Sequence, residues 1–393
     1  MLACASLGQR GTAEPATEFL APASRCAVLV DGSVRLPAAV NASSSANGVR
    51  QPPLPFLFDT ASMPNNSEAC GHCPEPDDEL PLHCCGVCQF EEKACEEVYP
   101  GASMHRNISE LLMRSGLPLQ ALTPCELFQR IRGRTLWFAG DSQTWAFFLS
   151  AECFLREFAL TLNRTPAVMP EQENNGMKFV KWISAPVCLD LAHNTRVCGV
   201  RVDTAADLQT RVLHRLVALA SNFSRDIVVL NTGLHYPEYD RPEEPPPRYV
   251  DELSALAEWK QAHQNLLPQF VWMDTPPQHF STSQGTFPGH GKRPFTCRPL
   301  QSWYDGDPVV VAGTRRGIAA APFIAKLADA HLHIYNASVP LWVGHIPGEC
   351  SHWCQPGAYQ LWLFLLNDAL RDGGLGNVVE VPGRPAAAKE ALR

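Results

Sequence analysis

Hydrophobic positions along this chain fall into two regimes that meet near residue 126. Residues 1 to about 60 are rich in Ala, Ser and Pro with little periodicity. Such a composition buries too little apolar surface to order a backbone, so it predicts a disordered or loosely attached leader. Beyond residue 126, short continuous apolar runs alternate with stretches of helical period. Leu136-Trp137-Phe138-Ala139 is apolar throughout, stops at Gly140-Asp141-Ser142, and gives way to a second apolar stretch from Trp145 to Leu155. That pattern predicts strand, turn and helix, with Ser142 at the turn. Ala205 to Ala220 carries Leu208, Val212, Leu213, Leu216 and Leu219 at helical spacing and feeds the run Asp226 to Leu230. Asp251 to Leu267 reads as an amphipathic helix and feeds Gln269 to Met273. Continuous apolar strands separated by helices predict an α/β fold, a three-layer sandwich around a mainly parallel sheet. Ligand sites in such sheets lie at the carboxyl ends of the strands. Ser142, Asn231 and Thr275 to His279 all fall there.

Composition narrows the class. At 393 residues and 45% hydrophobic content the chain can bury a large core, consistent with one sizeable domain plus appendages. A net charge of -8, with dispersed acidic residues and no Lys/Arg-rich tract, argues against nucleic acid as a partner. The longest apolar runs, such as Leu361 to Leu366, fall far short of the roughly 18 residues that a membrane helix needs. Asn-X-Ser/Thr acceptors begin at Asn41, Asn65, Asn107, Asn163, Asn222 and Asn336, where composition alone gives roughly one or two. Together with fifteen cysteines they point to an oxidising lumen and the secretory pathway. Met1 to Gly8 has neither a positive n-region nor the apolar length of a signal peptide, so the true start is expected upstream.

Cysteines divide the chain further. Cys70, Cys73, Cys84, Cys85, Cys88 and Cys95 crowd one short segment, which predicts a crosslinked cap or subdomain. Two Cys-x-x-Cys pairs near His72 and His83 also suit zinc, but disulfides are the better reading in a lumen. With an odd total, at least one thiol stays unpaired, and Cys4 or Cys26 is the expected one. The resulting division is leader 1–60, Cys-rich segment 61–125, catalytic domain 126–380 and flexible tail 381–393.

The candidate chemistry is a split serine-hydrolase site. A hydroxyl at the Ser142 turn sits beside free N–H groups of a helix N-terminus, which can stabilise an oxyanion while a base takes its proton. His352, in Glu349-Cys350-Ser351-His352-Trp353-Cys354, is the natural base and Glu349 its orienting acid; His345 and His235 are rivals. Asp141 is expected to shape the turn rather than to complete the triad. Asn231 and Gly233, in Asn231-Thr232-Gly233-Leu234-His235-Tyr236, can supply the rest of the oxyanion hole, an Asn amide being a neutral donor and Gly allowing close approach. His279 is a candidate for substrate binding. A plainer reading leaves Asn231 and His279 satisfying turn backbone at strand ends.

Ser142 in Gly-Asp-Ser, the Asn-Thr-Gly-Leu-His-Tyr strand end, Pro276-Pro277-Gln278-His279-Phe280, Asp329-Ala330-His331 before Ile334-Tyr335, and Cys350-Ser351-His352-Trp353-Cys354-Gln355-Pro356-Gly357 occur in this order. Together they resemble the PC-esterase family, the SGNH-like group that includes the plant trichome birefringence-like proteins, over roughly residues 120 to 372. The resemblance implies an SGNH-hydrolase-like fold and O-acetyl transfer to, or removal from, glycans or cell-wall polysaccharides, usually in the Golgi. It implies an acetyl donor as co-substrate, no other cofactor and no catalytic metal. It implies a Ser142-His352-Glu349 triad, an oxyanion hole from the Ser142 N–H with Asn231 and Gly233, and a loop stapled by Cys350 and Cys354. Substrate contacts are assigned to His235, His279, Trp145 and Trp353. The chain departs from the plant pattern at Glu349, where Asp is usual; at Gln143-Thr144-Trp145-Ala146, where the plant motif continues with Ser-Arg-Asn; and at Leu234-His235-Tyr236. An O-acetyl esterase is the alternative on the same triad. A catalytically inactive glycan-binding protein is the alternative of another class.

Overall fold

The apolar run after Arg134 forms β1 (Thr135–Gly140), the central strand of a seven-stranded sheet. In the computed structural model the described residues are Cys95, 124–155, 158–160, 164–168, 175–177, 185–220, 223–236, 247–289, 291, 293–355, 357–372 and 375, all within the unit Ala42–Arg393. The remaining strands are β2 (Thr165–Pro166), β3 (Val187–Leu191), β4 (Thr195–Arg201), β5 (Ile227–Asn231), β6 (Gln269–Met273) and β7 (Ala330–Leu332), in the order β2-β3-β4-β1-β5-β6-β7. Pairings from β4 through β1, β5 and β6 to β7 are parallel, whereas β2, β3 and β4 pair antiparallel. The sheet is therefore mixed. Its antiparallel edge arises because β3 and β4 are joined by three residues, too few for a crossover helix. His193 and Asn194 in that turn take left-handed backbone at φ 59° and 54°, a region that short polar side chains tolerate better than most.

Side chains alternate across β1. Leu136 and Phe138 join one core with α1 (Pro124–Ile131), α2 (Ser142–Leu155) and the C-terminal helix Gly357–Asp372; Trp137 and Ala139 join the other. On that second face lie α3 (Ala205–Asp207), continued by a π-helical segment Leu208–Leu213 into α4 (His214–Leu219), then α5 (Pro247–His263) and α6 (Thr314–Leu327). We label the C-terminal helix α7. The result is an α/β fold with helices on both faces of the sheet. α2 is buried on nearly every side, which is why its sequence is apolar all round instead of striped.

Chain order turns at β1, which has β4 on one side and β5 on the other. The crevice outside the carboxyl end of such a strand is where α/β sheets place ligands, and α2 begins there with Ser142.

Three disulfides occur among the described residues: Cys95–Cys354, Cys188–Cys198 across β3 and β4, and Cys297–Cys350. Cys350 and Cys354, the cysteines expected to staple their loop, are both bonded, and each ties the 350–354 loop to distant chain. The described free thiol is Cys153, buried in α2; Cys4 and Cys26 lie outside the described residues. So do the leader, the tail 381–393, and Cys70, Cys73, Cys84, Cys85 and Cys88 of the Cys-rich segment. Of the glycosylation acceptors, Asn336 alone falls within the described residues, and it is exposed. No described helix is long and apolar enough to cross a membrane.

The Cys95–Cys354 bond closes a separation of 259 residues, so Cys95→Ser is expected to lower stability by about 2–4 kcal/mol. Urea unfolding at constant m-value reads this as a lower midpoint; an unchanged midpoint would show that the loop end is held without the bond.

Candidate catalytic site

The turn between β1 and α2 is built by close contact. A Cβ at Gly140 would lie 2.3 Å from the Asn231 carbonyl and 2.5 Å from Thr144 Oγ1, so only glycine lets β1 end this near β5 and still turn into α2. Asp141 follows, fully buried, its Oδ1 accepting from Gln143 N (2.9 Å) and its Oδ2 from Leu234 N (3.4 Å). Burial raises its pKa, while His235 and the two backbone donors oppose that rise. Asp141 thus caps α2 and reaches the loop after β5. It does not approach His352 in the manner of a triad acid, in agreement with the turn-shaping role. Ser142 opens α2, where backbone N–H groups have no intrahelical acceptor.

His352 comes to Ser142 from the far end of the chain. Its Nε2 stands 2.8 Å from Ser142 Oγ, and its Nδ1 is 2.9 Å from Glu349 Oε2. A carboxylate only accepts, so Nδ1 carries the proton and Nε2 offers its lone pair to the serine hydroxyl. Glu349 is buried and also accepts from Ser351 N (2.9 Å) and His352 N (2.6 Å). Burial pushes its pKa up, but the hydrogen bonds and charge of His352 outweigh it and hold the group at about 2. Serine, imidazole and carboxylate therefore form one continuous chain, with the carboxylate anionic at neutral pH.

Asn231 departs from its expected place in the oxyanion hole. It is fully buried, and its amide donates to Met273 O (2.9 Å) and Thr275 Oγ1 (3.3 Å). Those bonds tie the end of β5 to β6 and commit the amide N–H groups to these two acceptors. Gly233 is buried at the loop after β5, where a Cβ would meet Thr275 Oγ1 at 2.5 Å. Its carbonyl accepts from Arg316 Nε on α6 (3.0 Å).

The other expected substrate contacts divide between buried and surface positions. His279 is fully buried and Trp353 nearly so; neither faces solvent where a substrate would bind. His279 Nδ1 lies 2.7 Å from His345 Nε2, His279 Nε2 lies 3.0 Å from Val339 O, and His345 Nδ1 lies 2.8 Å from His352 O. Trp353 stacks on His345 with ring centroids 4.4 Å apart. The pair is a wedge behind the His352 loop, and His345 is no rival base, since it contacts the His352 backbone rather than Ser142. Both end carbonyls only accept, so the three contacts need three protons, whereas two neutral imidazoles carry two. Burial, then His345, pushes His279 well below its ordinary value, and burial pushes His345 to about 4 against the His352 carbonyl and Glu349. The pair is neutral at pH 7 with one contact lacking its proton. His235 is exposed and lies 3.7 Å from Asp203. Trp145 is half-buried, packed on Phe148 with the Arg164 guanidinium over its ring at 5.9 Å.

Two supporting residues escape sequence reasoning. Gln143 is fully buried, and its amide donates to Ser351 O (2.7 Å), joining the serine helix to the histidine loop. Arg316 sits in a helix of mostly apolar sequence, and besides Gly233 O it reaches Gln278 Oε1 (3.4 Å), whose Nε2 donates to Ser351 Oγ (2.7 Å). A polar side chain inside an apolar stretch is the signal they share, and that signal names no partner. No protein-family model and no curated protein matches the chain.

Acid should undo this region in two stages. His345 takes up a proton on unfolding once pH falls below its ordinary 6.5 but resists doing so in the fold until about 4, so stability declines between those values by about 3 kcal/mol. Glu349, held at about 2 against an ordinary 4.5, adds stability above pH 4.5 that is lost as pH falls toward 2. Urea midpoints measured from pH 7 to pH 4 are expected to fall, and to fall less in His345→Gln. An equal slope in the two proteins would remove His345 from the account.

Proposed function

We propose that this protein is a serine-dependent acyl-transfer enzyme, an O-acetyltransferase of glycans or cell-wall polysaccharides that works through an acetyl-Ser142 intermediate. The observation that carries the reading is the unbroken chain from Ser142 Oγ to His352 Nε2 at 2.8 Å and from His352 Nδ1 to Glu349 Oε2 at 2.9 Å. His352 takes the serine proton as Oγ attacks the acetyl donor, and the Glu349 carboxylate fixes the imidazole tautomer and stabilises the imidazolium. The oxyanion faces the Ser142 N–H at the start of α2 and the Gly233 N–H; one such donor is worth on the order of 10²–10³ in rate. His352 then returns its proton to the leaving group, and a sugar hydroxyl, deprotonated in turn by His352, collects the acetyl group.

Acetyl transfer to a glycan rests on the likeness of the motifs to the PC-esterase family, and an SGNH-like assignment of the fold rests there too. The strand-turn-helix around Ser142 and the histidine loop at the sheet's carboxyl edge are in keeping with both. No cofactor beyond the acetyl donor enters the mechanism. Three disulfides favour an oxidising compartment, and the secretory lumen, the Golgi above all, is our reading of where the protein works. Contact between Ser142 and His352 weighs against an inactive glycan-binding protein. The esterase reading keeps one observation in its favour: the His352 side chain is 30% exposed, so water can reach the base that would activate it against the acyl-enzyme.

Acetyl release from a generic acetyl ester, and acetyl transfer to oligosaccharides followed by mass spectrometry, test the proposal. Ser142→Ala and His352→Ala are each expected to lose on the order of 10³-fold or more, with Glu349→Gln losing about 10²–10⁴-fold. Undiminished activity in the Ser142 or His352 variant would falsify the triad; hydrolysis without transfer would assign the esterase.

A further inference from the structure

A cleft of about 210 Å³ opens between α6 and the carboxyl ends of β6 and β7. Three ligand-bearing side chains meet on its wall, none of them part of the Ser142 chain. His331 lies in β7 and His333 two residues on, a spacing that puts both imidazoles on one face of extended chain. Asp274 follows β6, and its N–H donates to the carbonyl of the intervening Leu332 (3.2 Å), which sets the carboxylate beside both rings. His331 Nε2 is 2.5 Å from Asp274 Oδ1, His333 Nδ1 is 4.0 Å from Oδ2, and the imidazole centroids are 3.8 Å apart. One ligand atom from each residue falls within 4.8 Å of the others.

A hydrogen-bonded Asp-His pair accounts for His331 but not for a second imidazole against the first. Two imidazoles crowded beside one carboxylate repel when protonated and gain little when neutral, whereas a cation gives all three a common partner. The cleft supplies a second sign of a ligand. Tyr335 lines it, is only 4% exposed, and has a buried hydroxyl without a hydrogen-bond partner. Leaving a buried hydroxyl unpaired costs about 1–3 kcal/mol, a cost that an oxygen ligand would remove once the ring tilts to open the hydroxyl to the cleft.

We propose that Asp274, His331 and His333 bind a divalent transition-metal ion, zinc by preference, with a coordination position open to the cleft. Two imidazole nitrogens and one carboxylate oxygen form a donor set that suits zinc, and three protein ligands leave a fourth position for water or a hydroxyl. Tetrahedral bonds of about 2.0–2.2 Å place ligand atoms about 3.4 Å apart. His331 and Asp274 separate by under an ångström to reach this, and His333, with a side chain 74% exposed, closes in freely.

The test uses the full chain carrying Ser142→Ala, so that no outcome depends on ester chemistry. Chelator-stripped protein is titrated with cobalt(II) under visible spectroscopy and equilibrated with zinc for elemental analysis. One metal per chain is expected, with d–d absorption free of sulfur charge-transfer bands. Adding His333→Ala, a substitution at an exposed position that should leave the circular dichroism unchanged, is expected to weaken binding by more than the roughly tenfold that follows loss of an outer partner. His331→Ala should do the same. Binding that His333→Ala leaves unchanged, or no binding at micromolar metal, would overturn the proposal. So would a thiolate-dominated cobalt spectrum, because it would locate the ion at cysteines and leave the cleft without one.

Discussion

A carboxylate buried as deeply as Glu349 persists as an anion only when N–H donors surround it. Here the donors are the backbone of Ser351 and His352 and the imidazole of His352 itself, so the chain from 349 to 352 must curl around its own side chain. That curl aims the imidazole outward at Ser142. Backbone bonds from Ile346 N to His352 O, from Glu349 N to Ile346 O and from Cys354 N to Gly344 O close the loop on itself. Disulfides to Cys297 and Cys95 then hold the residues just inside and just beyond it. The geometry of the base thus follows from the solvation needs of the acid.

Serine and histidine are 210 residues apart, so their 2.8 Å contact depends on what joins α2 to that loop. Gln143, next to the serine, donates to Ser351 O. Tyr359 and Trp362 of α7 pack edge-to-face with Trp353 in the loop, and α7 shares a core with α2. A polar tie thus joins α2 to the loop directly, and an aromatic one joins them through α7. Elsewhere on α2, Trp145 packs on Phe148 under Arg164, and Arg164 is itself paired with the buried Glu152.

Legibility in the sequence followed burial. β1, β5 and β6 are buried on both faces and could be read as apolar runs; β6 matches its expected bounds residue for residue, and β5 is displaced by one. The helix expected over 251–267 runs instead from Pro247 to His263, because proline is accepted in a first turn while Leu266 and Leu267 belong to the approach to β6. The β3–β4 hairpin went unread because its turn, His193-Asn194, carries none of the Gly or Pro that usually marks one. Cysteine partners were illegible in principle, since separations of 53 and 259 residues leave no local trace. For Asn231 both readings were open from sequence, and the neighbouring strand decided between them by offering the Met273 carbonyl as acceptor.

Asp141 and Arg316, both buried, act on one peptide of the loop after β5. The peptide unit between Gly233 and Leu234 has its carbonyl held by Arg316 Nε and its N–H held by Asp141 Oδ2. Carbonyl and N–H point in opposite directions from a planar trans peptide, so gripping both ends fixes the plane's rotation. The next peptide toward β5, which carries the Gly233 N–H, inherits its orientation from that plane and from the glycine's close packing on Thr275. Leu234 N–H is already committed to Asp141, so under the proposed acyl-transfer reading the Gly233 N–H is the remaining donor of this loop. Arg316 also lines the cleft at β6 and β7. Arg316 thus touches both the loop after β5 and the wall of that cleft, outside the Ser142-His352-Glu349 chain.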